Sequence, residues 1–428
     1  MTVHLCHSIP GYEDCGPGGL TLARLLQVNE IPCAVFELDR NRYNRSQGGS
    51  LDLHEGSAQI ALREAGLFDQ FMAVARPEGE VLKIYEPDGN LLLDESTGHG
   101  ERRPDSFNGR PEVDRVQLRD MLIDSLSAGT IQWGRKLSAV KTTAEGLNPT
   151  YDLHFADGTT ETEFSLVVGA DGTWSKVRSL LSDTRPQFSG INGVDVKLSN
   201  IDSVDAKLSK RVGLGMCLTL GSNTTILSQR NGDGCVRSYG FMRLTEDWAR
   251  TCGINWSRPA EAKQQFLDLY YKDFDQDSQD LILKADDDSV IPRPLYMLPI
   301  GHKWPHRAGL TLIGDAAHVM APFAGVGVNV AMEDALQLAR SLVACKDICS
   351  KTAVNTHERH LSNAVRDYEE AMFVRAEAYA KETWMYLNLF FHERGGHPMC
   401  EHFANAKKKQ QQQAEAPEVP AKAVNVES

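Results

Sequence analysis

The segment around Gly314-Asp315 constrains the fold of this chain more than any other stretch. It begins with the apolar run Leu310-Thr311-Leu312-Ile313, passes through small residues and a proline, and ends in Gly325-Val326-Gly327-Val328. This order predicts a buried strand that delivers the Asp315 carboxylate to a sheet edge, followed by a loop that turns into a helix. Such a carboxylate suits a ribityl or ribose hydroxyl, and the unpaired N–H groups of a helix start suit an anionic or electron-rich edge. We therefore expect a cofactor to be bound by Asp315, Gly325, Gly327 and Val328.

Length, charge and cysteine content limit the classes to which the protein can belong. A chain of 428 residues predicts two domains. The formal net charge of −13 argues against nucleic acid and against an anionic membrane surface as partners. No apolar run reaches the roughly 18 residues of a membrane span, and the N-terminal sequence lacks the pattern of a signal peptide. Nine scattered cysteines without a Cys-x-x-Cys pair favour a reducing, cytoplasmic setting.

A glycine-rich turn near the N-terminus indicates a dinucleotide site. Asp14-Cys15-Gly16-Pro17-Gly18-Gly19 stands where a Gly-x-Gly-x-x-Gly turn is expected, before a predicted helix at 18–29 and a predicted buried strand at 33–37. Gly16 allows the backbone to approach a pyrophosphate, and Gly19 allows the helix to pack closely on a strand. Glu37 lies 18 residues after Gly19, near the spacing at which an acid accepts hydrogen bonds from adenosine ribose hydroxyls.

The same turn departs from the pattern at its first position, where Asp14 replaces glycine. A carboxylate near a dianionic pyrophosphate is unfavourable unless it is paired or turned away. The segment Ile9-Pro10-Gly11-Tyr12-Glu13 cannot form the central strand expected before the turn, and Thr2–Cys6 can replace it only with a longer loop. A faulty gene model, a rewired loop and a degenerate cofactor site are all compatible with these residues.

Three further segments have the composition of loops at a cofactor site. Arg45-Ser46-Gln47-Gly48-Gly49-Ser50-Leu51-Asp52-Leu53-His54 follows the second predicted strand. Asp114 is a plausible N-cap for a helix that begins at Arg115 and runs to Ser127, with Arg119 one turn after Arg115. A buried strand at 164–170 ends at Asp171-Gly172, and a helix is predicted to start near Ser175.

Together these motifs resemble those of the FAD-dependent aromatic hydroxylases, the para-hydroxybenzoate hydroxylase type of flavin monooxygenase. Within that group the chain looks most like the tetracycline-inactivating monooxygenases, and the resemblance covers about residues 14–405. It implies that Arg45 contacts NADPH or flavin, that Gly49 and Asp52 lie near the flavin, and that Arg115 reaches its ribityl or phosphate region. Arg119 either shares that role or is a solvated helix charge.

The resemblance also bears on the residues near the second and third loops. Asp171 either helps to organise the flavin and the pyridine nucleotide, or only caps its turn and holds Arg178. His318 is expected to be a structural feature of the flavin loop rather than an acid or base. Tyr239, Phe241, Trp248 and Trp256 are candidates for a planar substrate pocket, although most aromatic residues in such sheets belong to the core. Residues Trp384, Tyr386, Phe390 and Phe391 form an apolar patch that is expected to pack between the domains.

The implied architecture is an α/β fold with a Rossmann-like FAD-binding domain, an inserted antiparallel-sheet substrate domain and a C-terminal helix. The FAD-binding domain is expected to comprise residues 1–75, 100–184 and 296–365, and the substrate domain residues 76–99 and 185–295. A C-terminal helical segment at 366–405 and a low-complexity, disordered tail at 406–428 are expected to follow. The implied assembly is a monomer or a homodimer.

The implied reaction uses FAD, NADPH or NADH, and dioxygen. The pyridine nucleotide reduces the flavin, dioxygen forms a flavin hydroperoxide, and its distal oxygen passes to an aromatic, polyketide-like or terpenoid small molecule. The motifs contain no nucleophile, metal cluster or carboxylate pair, which fits a cofactor that performs the difficult chemistry itself. A flavin oxidase or dehydrogenase on the same scaffold, and a degenerate relative without turnover, are the alternatives.

Overall fold

The computed structural model describes residues 3–6, 16–44, 48–96, 109–144, 149–353 and 356–414. Its strands, in chain order, are β1 (Val3–Cys6), β2 (Cys33–Phe36), β3 (Ser50–Asp52), β4 (Leu82–Tyr85), β5 (Leu91–Asp94), β6 (Glu112–Asp114), β7 (Ile131–Gln132), β8 (Leu137–Ala144), β9 (Thr150–Phe155), β10 (Thr160–Phe164), β11 (Leu166–Gly169), β12 (Gln187–Leu198), β13 (Met216–Leu220), β14 (Thr224–Arg230), β15 (Val236–Arg243), β16 (Ile291–Met297) and β17 (Leu310–Leu312).

The α-helices, in chain order, are α1 (Pro17–Val28), α2 (Ala58–Glu64), α3 (Phe68–Val74), α4 (Arg115–Asp124), α5 (Ile201–Val204), α6 (Ala206–Val212), α7 (Trp248–Thr251), α8 (Pro259–Tyr270), α9 (Gln276–Leu283), α10 (Asp315–His318), α11 (Gly327–Cys349), α12 (His357–Phe390) and α13 (His397–Ala414). Short 3₁₀ turns lie at Pro77–Gly79, Arg178–Leu180, Asp287–Ser289 and Pro322–Ala324. No helix in the described ranges is long and apolar enough to cross a membrane.

A parallel sheet with the strand order β17-β11-β1-β2-β7 forms the centre of the α/β part of the molecule. β1 lies in its middle, so Val3–Cys6 supplies the central strand that the proline-containing segment after it cannot form. The turn with Asp14 lies outside the described residues. Because parallel strands end at one edge of the sheet, β2, β11 and β17 bring Glu37, Asp171 and Asp315 to the same edge.

Helices α1 and α11 pack closely against each other beside this sheet. A Cβ atom on Gly18 in α1 would lie 3.0 Å from the carbonyl oxygen of Ala331 in α11, so only glycine permits this approach. Gly19 is buried in the same turn of α1. One apolar core joins the helices to the sheet; its members include Leu20, Leu22, Val35, Val168, Leu312 and Leu336.

A second, mostly antiparallel sheet has the strand order β16-β12-β15-β14-β13-β4-β5. Its neighbouring strands are antiparallel except for the parallel pair β13 and β4. This confirms the predicted inserted antiparallel sheet. Smaller sheets pair β10-β9-β8 and β3-β6.

The two faces of the second sheet bury different aromatic residues. Tyr239 and Phe241, two residues apart on β15, share one face with Phe323 from the turn at Pro322–Ala324. We call this the inner face. Trp248 and Trp256 pack with Phe266 in a separate core on the opposite face. Of the four candidates for a substrate pocket, Trp248 and Trp256 therefore belong to a core, the alternative that the sequence left open, because they lie on the far side of the sheet.

The end of α12 packs between the two domains, which is the position predicted for its apolar patch. The rings of Phe390 and Phe391 lie 5.1 and 5.2 Å from that of Phe323, within the same core as residues of the inner face. Tyr386 packs beside Phe403 of α13 at 6.5 Å between ring centroids. Trp384 remains 40% exposed and takes no part in the core.

Several predicted helix boundaries are wrong for local reasons. The helix expected from Ala58 to Val74 is divided into α2 and α3 by Gly66, whose φ of +68° is unfavourable for other residues. The helix expected near Ser175 is only a 3₁₀ turn at Arg178–Leu180, although Asp171 accepts the N–H groups of Lys176 and Val177 as a helix cap would. Helix α4 ends at Asp124 rather than Ser127.

The C-terminal helix extends further than the sequence pattern predicts. Helix α13 runs to Ala414 and thus includes the start of the tail that was expected to be disordered from residue 406. Its last residues are lysine, glutamine and alanine, which all have high helix propensity even where no apolar stripe marks a helix. Residues 415–428 lie outside the described part of the chain.

Candidate cofactor-binding site

The Asp315 carboxylate lies at the carboxyl edge of the parallel sheet, as predicted. Strand β17 ends at Leu312, and Gly314 turns the chain with a φ of 58° before Asp315 opens α10. A Cβ on Gly314 would lie 3.1 Å from the Cβ of Ala331, so the turn has both a conformational and a steric need for glycine. Asp315 is half-buried, and among the described residues no group donates a hydrogen bond to its carboxylate. This acceptor is available to a ligand.

The loop that carries Asp315 is anchored from below by Asp334 of α11. The buried Asp334 carboxylate accepts from the Gly314 N–H at 3.0 Å, from His318 Nε2 at 2.5 Å and from Arg375 Nη2 at 3.1 Å. Burial lowers the pKa of His318, but the neighbouring Asp334 carboxylate outweighs it, so the net pKa is raised. His318 thus forms an ion pair with Asp334 of α11 and serves the structural role that the resemblance implied.

The Gly325-Val326-Gly327 loop meets the segment that contains Asp52. Gly325 has a φ of +69°, and a Cβ on it would lie 3.6 Å from Asp52 Oδ1. Asn329 Nδ2 donates to the Asp52 carbonyl oxygen at 2.8 Å, and the His54 N–H donates to Asn329 Oδ1 at 2.7 Å. The Asn329 side-chain amide therefore joins the start of α11 to the Asp52-Leu53-His54 segment through one donated and one accepted hydrogen bond.

The start of α11 is open. A Cβ on Gly327, the first residue of this helix, would meet no atom within 4 Å, and Val328 follows it in the first turn. The first turn of α11 contains no acidic residue, so its N–H groups keep the partial positive charge of a helix start. The geometry fits the electron-rich edge of a flavin ring.

Arg119 provides the strongest test of whether the site suits a phosphate-bearing cofactor. Its side chain is buried, with the residue only 2% exposed, and Nη1 donates to the Arg42 carbonyl oxygen at 2.7 Å. Its Nε and Nη2 atoms are buried and have no hydrogen-bond partner among the residues that the structure describes. The possibility that Arg119 is a solvated helix charge is therefore wrong. A buried cation with two unsatisfied donors calls for an anionic partner, and a phosphate group satisfies that demand.

Glu37 and Gly16 occupy the positions expected for the adenosine end of the cofactor. Glu37 follows β2 directly, is 1% exposed, and accepts from the Asp39 N–H at 2.9 Å through Oε1. Gly16 is the N-cap residue of α1. A contact of either residue with a cofactor stays a prediction.

Arg115 and the glycine pair Gly48-Gly49 are brought together. The Arg115 N–H donates to the Gly49 carbonyl oxygen at 3.2 Å, and a Cβ on Gly48 would lie 3.1 Å from Arg115 Nε. Arg45, which the resemblance placed in this loop, lies outside the described residues. Asp114 is the N-cap residue of α4 by position only, because its carboxylate accepts from Arg76 Nη2 at 2.7 Å and from the Gly232 N–H at 2.9 Å.

Asp171 organises the turn that follows β11. Its buried carboxylate accepts from Ser175 Oγ at 2.5 Å and from the Lys176 N–H at 2.7 Å. This turn also positions Arg178, whose Nη1 donates to the carbonyl oxygen of Ala316 at 2.8 Å. Asp171 therefore supports the Asp315 loop through Arg178, and a direct contact of Asp171 with a cofactor stays a prediction.

The sequence pattern missed a polar cluster where the second sheet approaches the glycine pair. A Cβ on Gly49 would lie 3.4 Å from Gln229 Oε1 and 3.6 Å from Asn231 Oδ1 and Arg237 Cδ. Arg237 donates to the buried Asp195 at 3.0 Å. The sequence carried one signal for this cluster. Side chains alternate between the two faces along β15, which places Arg237 on the same face as Tyr239 and Phe241.

The chain belongs to the FAD binding domain family, whose profile matches residues 15–268 and 302–362. It is 30% identical over 422 residues to the monooxygenase penA of Penicillium thymicola, covering 89% of this chain and 94% of that protein. It is also 30% identical over 429 residues to the monooxygenase asqM of Emericella nidulans, with the same coverage. The family and these relatives identify an FAD-dependent monooxygenase.

Solved structures share the fold. HpxO of Klebsiella pneumoniae complexed with FAD and uric acid has a TM-score of 0.70 at 17% identity, covering 96% of this chain and 93% of that chain. The tetracycline destructase Tet(51) has a TM-score of 0.65 at 17% identity, with 96% of both chains covered. Both predictions drawn from the motifs, the flavin monooxygenase class and its two-domain fold, are thus confirmed.

Proposed function

We propose that this FAD-dependent monooxygenase uses NADPH or NADH and dioxygen to hydroxylate or epoxidise a planar aromatic, polyketide-like or terpenoid small molecule. The observation that carries the proposal is the sheet edge at which the Asp315 carboxylate, without a hydrogen-bond donor among the described residues, follows the Gly314 turn that packs on Ala331 of α11. When bound, FAD supplies electron transfer from the pyridine nucleotide to dioxygen and oxygen transfer to the substrate.

The protein's own residues would hold and tune this cofactor. Asp315 would accept a hydrogen bond from a ribityl hydroxyl, and Arg119 would neutralise phosphate through its two unsatisfied donors. The first-turn N–H groups of α11 would stabilise negative charge on the reduced ring. Glu37 would accept from the adenosine ribose, and Arg45 and Arg115 would contact the cofactor or NADPH.

The inner face of the second sheet would bind the substrate. It presents half-buried apolar side chains together with the polar cluster beside Gly49, and its apolar members include Met216, Leu227, Tyr239 and Leu295. The rings of Tyr239 and Phe241 are parallel, with centroids 5.5 Å apart, and Tyr239 is the half-buried ring of the two that a substrate would contact. A cytoplasmic location and a monomeric or homodimeric state stay predictions.

A sequence of three measurements tests the proposal. Purified protein should show the visible absorption of oxidised flavin, and anaerobic NADPH or NADH should bleach it. Turnover of a panel of polycyclic aromatic and polyketide-like compounds under labelled dioxygen should then place one labelled oxygen atom in the product. A colourless protein that cannot be loaded with FAD would favour the non-catalytic alternative. Product oxidised without labelled oxygen would favour an oxidase or dehydrogenase.

A further inference from the structure

Glu112 links the loop near the expected flavin to the substrate-binding sheet. It lies on β6, is 6% exposed, and accepts a hydrogen bond from Ser50 Oγ on β3. From the other side, Gln229 Nε2 on β14 lies 3.1 Å from Glu112 Oε2 and 3.2 Å from Oε1. A single buried carboxyl group therefore holds side chains from both domains.

The charged surroundings of Glu112 allow it to change protonation near neutral pH. Burial raises its pKa from 4.5 to about 7; the Asp52 charge on β3 acts in the same direction, while the Ser50 hydroxyl and the Arg76 charge oppose it. Arg76 reaches the group through Ser50 Oγ at 2.8 Å but is itself paired with Asp114 at 2.7 Å. No cation described in the structure pairs directly with Glu112.

The opposite end of the Gln229 amide faces the position beside Gly49. Gln229 is half-buried, and its Oε1 atom would lie 3.4 Å from a Cβ on Gly49. Asn231 Oδ1, on a residue only 9% exposed, lies 3.6 Å from the same point and has no hydrogen-bond partner within the described part of the chain. Among the described residues, no group donates to Gln229 Oε1 either. Two carbonyl oxygens thus lie next to the position beside Gly49, bounded by Gln229, Asn231 and Arg237, which we call the cleft.

The chemistry of the two groups couples proton uptake to the orientation of the amide. An ionised carboxylate can only accept hydrogen bonds, so it holds the Gln229 NH₂ group toward itself and leaves Oε1 toward the cleft. A protonated carboxyl donates its proton. On Glu112 Oε1, the oxygen that Ser50 does not contact, that proton finds its acceptor in Gln229 Oε1 once the amide turns over. This rotation of the Gln229 amide points its NH₂ group into the cleft.

We propose that Glu112 is a positioning residue whose ionised form directs the Gln229 carbonyl oxygen into the cleft, beside that of Asn231, toward an N–H or O–H donor of the bound substrate. In the protonated state the cleft presents the Gln229 NH₂ group instead, which favours a substrate acceptor. The identity of the ligand as a substrate rests on the proposed function, whereas the coupling between Glu112 and Gln229 does not.

Nuclear magnetic resonance of the FAD-loaded protein labelled with ¹⁵N-glutamine tests this coupling directly. The side-chain amide signal of Gln229 is assigned by its loss in Gln229→Leu. In the native sequence this signal should shift as pH is lowered through about 7, the pKa of Glu112. The shift should vanish in Glu112→Gln and persist in Glu78→Gln, a matched change at an exposed acid.

Ser50→Ala provides a second variant that does not alter either partner. Removing the Ser50 hydroxyl takes one donor from the ionised carboxylate, so the midpoint of the Gln229 transition should move to higher pH. A Gln229 signal that ignores pH in the native sequence, or a response that survives in Glu112→Gln, overturns the inference. Absorbance of the same samples reports FAD content, so failure of the proposed function is seen separately as colourless protein.

Discussion

Replacing Asp315 by alanine should release FAD while leaving the fold intact. The carboxylate is half-buried and accepts no hydrogen bond from the described residues, so its loss leaves no protein donor unsatisfied. We expect the free energy of unfolding of the apoprotein to change by less than about 0.5 kcal/mol. A hydrogen bond from a ligand hydroxyl to an ionised carboxylate contributes about 1.5–3 kcal/mol, which corresponds to a roughly tenfold to hundredfold increase in the Kd for FAD.

The assay is titration of apoprotein with FAD, followed by flavin fluorescence and by the flavin retained after ultrafiltration. Asp315→Asn should lie between the native protein and Asp315→Ala, because its amide oxygen accepts a neutral hydrogen bond. Asp347→Ala removes an exposed acid near the far end of α11 and should leave the Kd unchanged. Unaltered FAD affinity in Asp315→Ala, with the native thermal midpoint, would refute the assignment of this carboxylate to the cofactor.

Three further perturbations follow from the packing. Asp334→Ala should destabilise the protein by about 3–5 kcal/mol in urea unfolding, because it leaves His318 and Arg375 without their shared carboxylate; an unchanged midpoint would contradict this. Phe323→Ala should cost about 3–5 kcal/mol by emptying the aromatic contact between the domains, and native stability in that variant would argue against a joint core. The third concerns pH: a folded-state pKa of about 7 against an ordinary 4.5 means that Glu112 favours the fold most below pH 4.5. As pH rises from about 4.5 to just above 7, the native protein should progressively lose about 3 kcal/mol of stability relative to Glu112→Gln, and parallel stability curves for the two proteins would exclude the shift.

The cofactor edge was predictable because its determinants are local. A strand that ends in Gly314-Asp315 must place its acid at the sheet edge, and only glycine fits beside Ala331 at that turn. The behaviour of Arg119 was not predictable, since its spacing on α4 is the same for an exposed and a buried arginine. Its burial depends on Trp133 and the Arg42 carbonyl, which contact it only after the chain has folded.

The polar cluster beside Gly49 belongs entirely to tertiary structure. Glu112 lies more than a hundred residues before Gln229 and Asn231 in the sequence, and none of the three has a recognisable motif. The alternation along β15 was visible in the sequence, but it does not reveal which face of the sheet turns toward the flavin loop. Because side chains alternate with a period of two, the choice of face is made by what covers the sheet.

The amino-acid sequence by itself determined the parallel-sheet edge, the glycine turns and the flavin monooxygenase class, because backbone conformation and strand ends depend on neighbouring residues. Tertiary packing decided which carboxylates stay available to a ligand. Those of Asp171 and Asp334 accept hydrogen bonds from protein donors, whereas that of Asp315 accepts none from the described residues. Tertiary packing also placed the buried Glu112 carboxyl on β6 opposite the Gln229 amide on β14. Desolvation and hydrogen-bond partners arise only where distant segments meet, so they are properties of the fold rather than of any motif.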